Sequence, residues 1–204
     1  MKTFTHLCTP GIQKQFPARM QQGFSLIEVL VSVIILSIGM LGAIGMQTTA
    51  LQANKEARNQ TIATIFAREL AEKMRGNHTT AIKTTAATNF YLFDTVLASP
   101  ADVASFTVNC FTLGCPLAAD AAKWDVADWQ TRVQAALPNP RVKVCFDKNP
   151  YDAANLPRWA CTDDGDVAVL KMSWTRQNTA GTLELAASSA IPVVILPLTA
   201  GSTE

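Results

Sequence analysis

Gly23-Phe24-Ser25-Leu26-Ile27-Glu28-Val29-Leu30 decides how the rest of the chain is read, because it places one carboxylate at the head of an apolar run that carries no further charge through Met46. An Asp or Glu inside a membrane helix costs about 2–4 kcal/mol at the bilayer centre and less near an interface, so an ionisable residue there points to function. The uncharged run from Val29 to Met46 would make about 27 Å of helix, close to the thickness of a hydrocarbon core. Residues 1 to 23 carry Lys2, Lys14 and Arg19 and no acid. Cytoplasmic flanks are enriched in such residues, so the amino end is expected inside. A secretory signal would have a shorter, charge-free core closed by a small-residue cleavage site, whereas Phe24 to Met46 is long and contains Glu28.

A glycine followed by Phe, a small hydroxyl residue, two aliphatics and Glu resembles the cleavage site of type IV prepilins. The resemblance implies cutting between Gly23 and Phe24 by a membrane prepilin peptidase, N-methylation of the new Phe24 amine by the same enzyme, and a mature chain that begins with its apolar segment. It also implies an assembly role for Glu28, paired with the Phe amine of a neighbouring subunit. Two opposite charges in a dry core are tolerated only together. The alternative reading of Glu28 is an ordinary anchor whose carboxylate snorkels to the headgroups.

The leader, residues 1–23, is longer than many prepilin leaders and contains Cys8, Pro10 and Pro17, so two starts stay open, Met1 and Met20. Its removal lowers the basic count from 17 to 14 against 16 acidic residues, about −2 with histidine neutral. That balance makes nucleic acid an unexpected partner. About 180 residues remain, enough for a stem and one globular domain.

Apart from Cys8 the cysteines are Cys110, Cys115, Cys145 and Cys161, all in the part expected to be exported. An even number in an oxidising compartment reads as two disulfides. Four cysteines permit three pairings, and sequence alone does not choose among them. Locality favours Cys110 with Cys115 and Cys145 with Cys161, the larger loop contributing about 3 kcal/mol in the chain-entropy model. Zinc is the competing reading, but the spacings are not zinc-like and His78 is the one histidine past the leader.

Residues 47 to 75 contain no proline or glycine, and Leu51, Ile62, Ile65, Phe66, Leu70 and Met74 recur at three- and four-residue intervals over the later part. Lys55, Arg58, Arg68, Glu72 and Lys73 lie opposite, Glu69 and Lys73 have the order of a helix surface pair, and Gly76-Asn77 is a stop signal. One helix is expected over 24–76, transmembrane for about 24–46. The stripe is too irregular for a coiled coil. The run Ile62 to Asn77, with Leu26 to Val31 and Ser37 to Gly42, is similar to the minor pilins of the PilV family, the type IV pilus modification proteins. Membership would imply a low-abundance subunit that joins other minor and major pilins, primes fibre assembly and sits beneath a tip adhesin, supporting adhesion and twitching motility. A minor pseudopilin of type II secretion is the alternative.

Gly39, Gly42 and Gly45 either allow close helix packing or form a weak point that loosens when the subunit leaves the bilayer. Beyond Gly76 the expectations are coarse. Residues 79 to 100 read as a connecting loop with a short helix, Phe106 to Cys110 as a strand, and Ala118 to Leu137 as a helix ended by Pro138 and Pro140. Val142 to Phe146, Val167 to Trp174, Thr182 to Leu185 and Ile191 to Leu196 have strand composition. The fold class is therefore α+β. The resemblance implies the type IV pilin fold, a long N-terminal helix packed on an antiparallel sheet in a disulfide-bonded domain over 77–204. The localisation it implies is the bacterial inner membrane, single-pass with the domain periplasmic, and then the pilus.

Asp163, Asp164 and Asp166 around Gly165 are weak calcium candidates and read better as an acidic turn. Arg141, Lys143, Lys148 and Arg158 near Tyr151 and Trp159 could form a small DNA-binding surface, though scattered solvated charges explain them better. Trp124, Trp129, Trp159 and Trp174 read as core or interface anchors. No pattern for an enzyme is present: no second histidine for a metal pair, no Gly-x-Ser-x-Gly, no phosphate loop. Catalytic residues, metal and cofactor are all expected to be absent, and assembly is the expected activity.

Overall fold

The computed structural model describes residues 23–106, 109–177 and 181–199; the expectations for the leader lie outside them. The chain forms two compact units, residues up to Thr49 and from Ala50 onward. The boundary falls inside helix α1, Leu26–Gly76, so the later half of this helix belongs to the unit that contains the sheet.

In the first unit every described residue is exposed, including Phe24 at 83%. The helix here satisfies its own polar side chains: Ser32 Oγ donates to the Glu28 carbonyl at 2.6 Å and Ser37 Oγ to that of Val33 at 2.7 Å. Hydroxyls bonded back to the preceding turn remove most of the cost of placing them in lipid. An exposed apolar surface of this extent needs lipid or other helices around it.

In the second unit α1 buries Asn59, Ala63, Ala67, Leu70, Ala71 and Met74, a stripe at four- and three-residue steps. The stripe differs from the one expected. Leu51 is 69% and Ile65 58% exposed, and alanines take the contact positions because small side chains let the helix approach its neighbours closely. Helix α2 (His78–Ala81) follows at once, and strand β1 (Phe93–Val96) opens the main sheet, where a loop had been expected. Phe106 is in no strand, Thr107 and Val108 lie outside the described residues, and Cys110 begins helix α3 (Cys110–Leu113). Among the described residues of the stretch Phe106 to Cys110, none is in the strand expected there. Asn109 caps α3 instead, its side chain accepting from the Phe111 and Thr112 amides at 3.0 and 3.3 Å.

Helix α4 (Ala118–Ala136) buries Ala122, Val126, Trp129, Gln130 and Val133. It ends at Leu137, extended because Pro138 follows. Strands β2 (Arg141–Phe146) and β3 (Ala168–Ser173) come next, then a short ladder of β4 (Arg176–Gln177) with β5 (Leu183–Glu184), and last β6 (Val194–Leu198). The main sheet is antiparallel in the order β1-β2-β3-β6, whereas β4 and β5 pair only with each other. The strand expected at Thr182 to Leu185 thus lies outside the main sheet.

Period-two alternation sends Val142, Val144 and Phe146 of β2 and Leu170 and Met172 of β3 into one core with Ala63, Ala67, Leu70, Met74, Val126, Trp129 and Val133. Trp129 anchors it: its Nε1 donates to the Phe66 carbonyl at 2.8 Å, and its ring meets Phe66 edge-on at 6.2 Å. Glu69 and Lys73 do not pair with each other as their spacing suggested. Lys73 Nζ binds Asp125 at 3.0 Å and Glu69 binds Arg132, so both reach across to α4.

The opposite face of β3 is covered as well, which is why the whole strand is buried. The segment between β2 and β3 reaches it through Asp147 and the Ala160 carbonyl, which bind Lys171, and Gly165 packs against the start of that same segment. A Cβ on Gly165 would lie 2.7 Å from the Asp147 carbonyl carbon and 2.8 Å from the Lys148 nitrogen. Gly165→Ala is expected to destabilise the domain by about 1–3 kcal/mol through overpacking against backbone that cannot rotate away. Chemical denaturation of the disulfide-intact protein checks this, and an unchanged midpoint would contradict it.

Candidate functional site

The scissile bond proposed from sequence lies just before the helix. Gly23, Phe24 and Ser25 are exposed and outside α1, whose first turn is closed by the Glu28 amide donating to the Ser25 carbonyl at 3.0 Å. A protease binds its substrate extended, and a bond held in a helix would first have to be unwound. Here the Gly23–Phe24 bond is already free of helical hydrogen bonds. Among the described residues, no atom outside its chain neighbours approaches within 4 Å of a Cβ built on Gly23, so their packing does not require glycine there.

Glu28 stands in the first turn of α1, where the exposed amides and helix dipole favour a negative charge. It is exposed and forms no ion pair among the described residues. Gly39, Gly42 and Gly45 stand in unbroken helix with open space around each.

The structure joins Cys110 to Cys115 and Cys145 to Cys161, with Cα separations of 4.9 and 6.4 Å. The one group of potential metal ligands gathered among the described residues is Cys145, Asp147 and Cys161, and both sulfurs are consumed by the disulfide. Asp163, Asp164 and Asp166 do not converge. Asp163 takes a left-handed conformation at φ 57° and its amide donates to the Phe146 carbonyl at 3.0 Å, which makes the segment a turn against β2.

The fold brings part of the basic-aromatic set together. Arg141 stacks over the Trp159 ring at 4.2 Å and, with Lys143 at 3.3 Å, faces Asp94 on β1. Arg158 Nε donates to the Asn149 carbonyl at 2.7 Å. Arg141, Lys143 and Arg158 thus each have a partner within the protein. Trp129 and Trp174 are fully buried, whereas Trp124 and Trp159 are half-buried.

Two polar clusters had no counterpart in the sequence reading. Lys171 on β3 is wholly buried, its Nζ bonded to Asp147 and to the Ala160 carbonyl at 2.7 Å. Burial alone would push the Asp147 carboxyl up, but the Lys171 ammonium and the Asn149 and Thr162 donors outweigh it and hold the carboxyl below its ordinary range. The only signal in the sequence was a lysine inside an apolar strand.

In the second cluster the Tyr91 hydroxyl donates to Asp125 at 2.8 Å, joining the segment before β1 to α4 and, through Lys73, to α1. Burial, with the neighbouring Asp125 charge and this hydrogen bond, raises the tyrosine well above its ordinary value. A raised native value stabilises the fold below the unfolded value near 10 and withdraws that stability as the pH climbs past it. Melting curves between pH 8 and 11 should show a steep alkaline loss that Tyr91→Phe flattens. Equal slopes in the two proteins would contradict the assignment.

Two family matches cover most of the chain up to α4. Residues 18–44 match the prokaryotic N-terminal methylation motif, and residues 45–127 match type IV pilin Tt1218. No curated protein and no solved structure matches. The first match contains Gly23, Phe24 and Glu28, and the second runs from the later half of α1 into α4.

Proposed function

Because the chain is a type IV pilin-like protein, a member of a structural rather than an enzymatic family, we propose that it acts as a minor pilin of the PilV type. The precursor is held in the bacterial inner membrane by residues 24–46, amino end cytoplasmic and globular domain periplasmic. A prepilin peptidase cuts between Gly23 and Phe24 and methylates the Phe24 amine. The mature chain then joins other minor and major pilins, primes the fibre and helps present a tip adhesin, so supporting adhesion and twitching motility.

The observation that carries this reading is an exposed, non-helical Gly23–Phe24 bond placed directly before an apolar helix whose first turn holds one carboxylate, without an ion-pair partner among the described residues. Glu28 is the contact for the Phe24 amine of the subunit assembled next to it. The low-abundance role rests on the likeness of residues 62–77 to minor pilins, and two disulfides suit an exported domain.

Deleting the gene is expected to remove or sharply reduce surface pili and abolish twitching while leaving protein secretion intact. Retained pili with blocked secretion would overturn the proposal in favour of a minor pseudopilin of type II secretion.

A further inference from the structure

One face of α1, just past the membrane segment, carries exposed cations that the fold leaves unused. Leu51, Lys55 and Arg58 are exposed and lie four and three residues apart, within one narrow arc of the helix. Neither Lys55 nor Arg58 has an ion-pair partner among the described residues. The acids at this end of the domain are already spent. Glu56 accepts from Trp174 Nε1 at 3.0 Å and lies 3.9 Å from Arg176, whose Nε binds Glu184 at 3.0 Å. Lys55, Arg58 and Arg176 therefore stand against two carboxylates, leaving an excess of positive charge beside the apolar Leu51.

Position along the chain says what faces this surface. Leu51 follows Met46 by five residues, about 8 Å of helix, which is headgroup depth if the hydrocarbon span ends near Met46. Lys55 and Arg58 follow within about 14 and 18 Å. Helical side chains lean toward the helix N-terminus, which here is the bilayer side, so both long cations reach back toward the phosphates. The surface potential of anionic lipid extends about a Debye length, 8–10 Å, beyond the headgroups.

We propose that Leu51, Lys55 and Arg58 form a docking face for anionic phospholipid headgroups, holding the domain against the periplasmic leaflet before assembly. The occupant is lipid because the face is continuous in the chain with the anchor, its free charge is positive, and Leu51 supplies the apolar contact of an interfacial segment. Leaving the bilayer strips this contact and frees the face. The inference rests on the anchor in the reading above and does not depend on the minor-pilin role.

The test uses the full-length chain with Cys8→Ser, reconstituted in nanodiscs of phosphatidylcholine alone or with phosphatidylglycerol, and a nitroxide on Asn54→Cys. Access of a water-soluble relaxation agent should be several-fold lower in the anionic discs. Lys55→Glu with Arg58→Glu should abolish the difference, each reversal lowering the docked-to-free ratio about fivefold or more. Both side chains are exposed, and unchanged circular dichroism with both disulfides intact shows that the variant is folded. Equal access in the two lipids overturns the proposal, as does protection that survives the double substitution. Protection that grows with the number of chains per disc also overturns it, by assigning the face to a second copy.

Discussion

Asp147→Ala is expected to destabilise the globular domain by about 3–5 kcal/mol, because it leaves the Lys171 ammonium buried without its counter-ion. Lys171 has no exposed surface, and after the substitution its Nζ would keep only the Ala160 carbonyl among its partners. The loss is larger than that of a surface pair, worth under about 1 kcal/mol, since no water can replace the missing carboxylate. Replacing both partners, Asp147→Leu with Lys171→Met, should recover the part of the loss due to the uncompensated charge, while the Asn149 and Thr162 donors lose their acceptor in both variants. Urea denaturation of the oxidised protein separates the cases. If the single and double variants lose the same amount, the pair is not what holds the segment between β2 and β3.

The same residue sets an acid limit. A carboxyl held below its ordinary value contributes stability that is complete above the unfolded value near 3.9 and lost as the pH falls through the native one. The wild-type domain should therefore weaken below pH 4 more steeply than the doubly apolar variant.

Gly23→Leu is expected to leave the precursor uncut, with the leader still present on the membrane-bound chain. On the proposed cleavage this would be a recognition effect and not a folding one: Gly23 is exposed and no described residue beyond its chain neighbours lies within 4 Å of a Cβ built there. The substitution acts where a protease subsite must accept the residue before the bond. Glu28→Ala has the opposite profile. It should be cut normally and then recovered poorly with sheared pili, because the partner for a neighbour's Phe24 amine is gone. A shortened Gly23→Leu product on a gel would contradict the first expectation, and undiminished recovery of Glu28→Ala in pili the second.

The parts of the fold written in local patterns could be read before the structure. The apolar half of α1, the stop at Gly76, the helix ended by Pro138 and the strands around Cys145 and Leu170 each follow from composition, periodicity or a breaker residue. What escaped was decided by tertiary neighbours. Phe93 to Val96 become a strand only because β2 offers an open edge, with Asp94 opposite Lys143. Ile65 looked like core, yet the helix turns Ala63 and Ala67 inward, since close approach rewards small side chains more than large ones. Glu69 and Lys73 were spaced to pair with each other and were drawn away by Arg132 and Asp125 on a helix some 50 to 60 residues further on.

For the functional segment the position is reversed. Gly23, Phe24 and Glu28 were proposed entirely from sequence, and the structure adds that the Gly23–Phe24 bond is exposed and outside the helix and that Glu28 has no ion-pair partner among the described residues. The Lys171–Asp147 pair could not be foreseen because its partners are 24 residues apart on elements whose contact depends on the fold-back around Gly165.

The most direct test is the intact mass and N-terminal sequence of this protein recovered from sheared surface fibres. The account predicts a chain that begins at N-methylated Phe24 and carries two disulfides. A chain that retains residues before Phe24, or one found in the membrane but never in fibres of cells that make them, would contradict it.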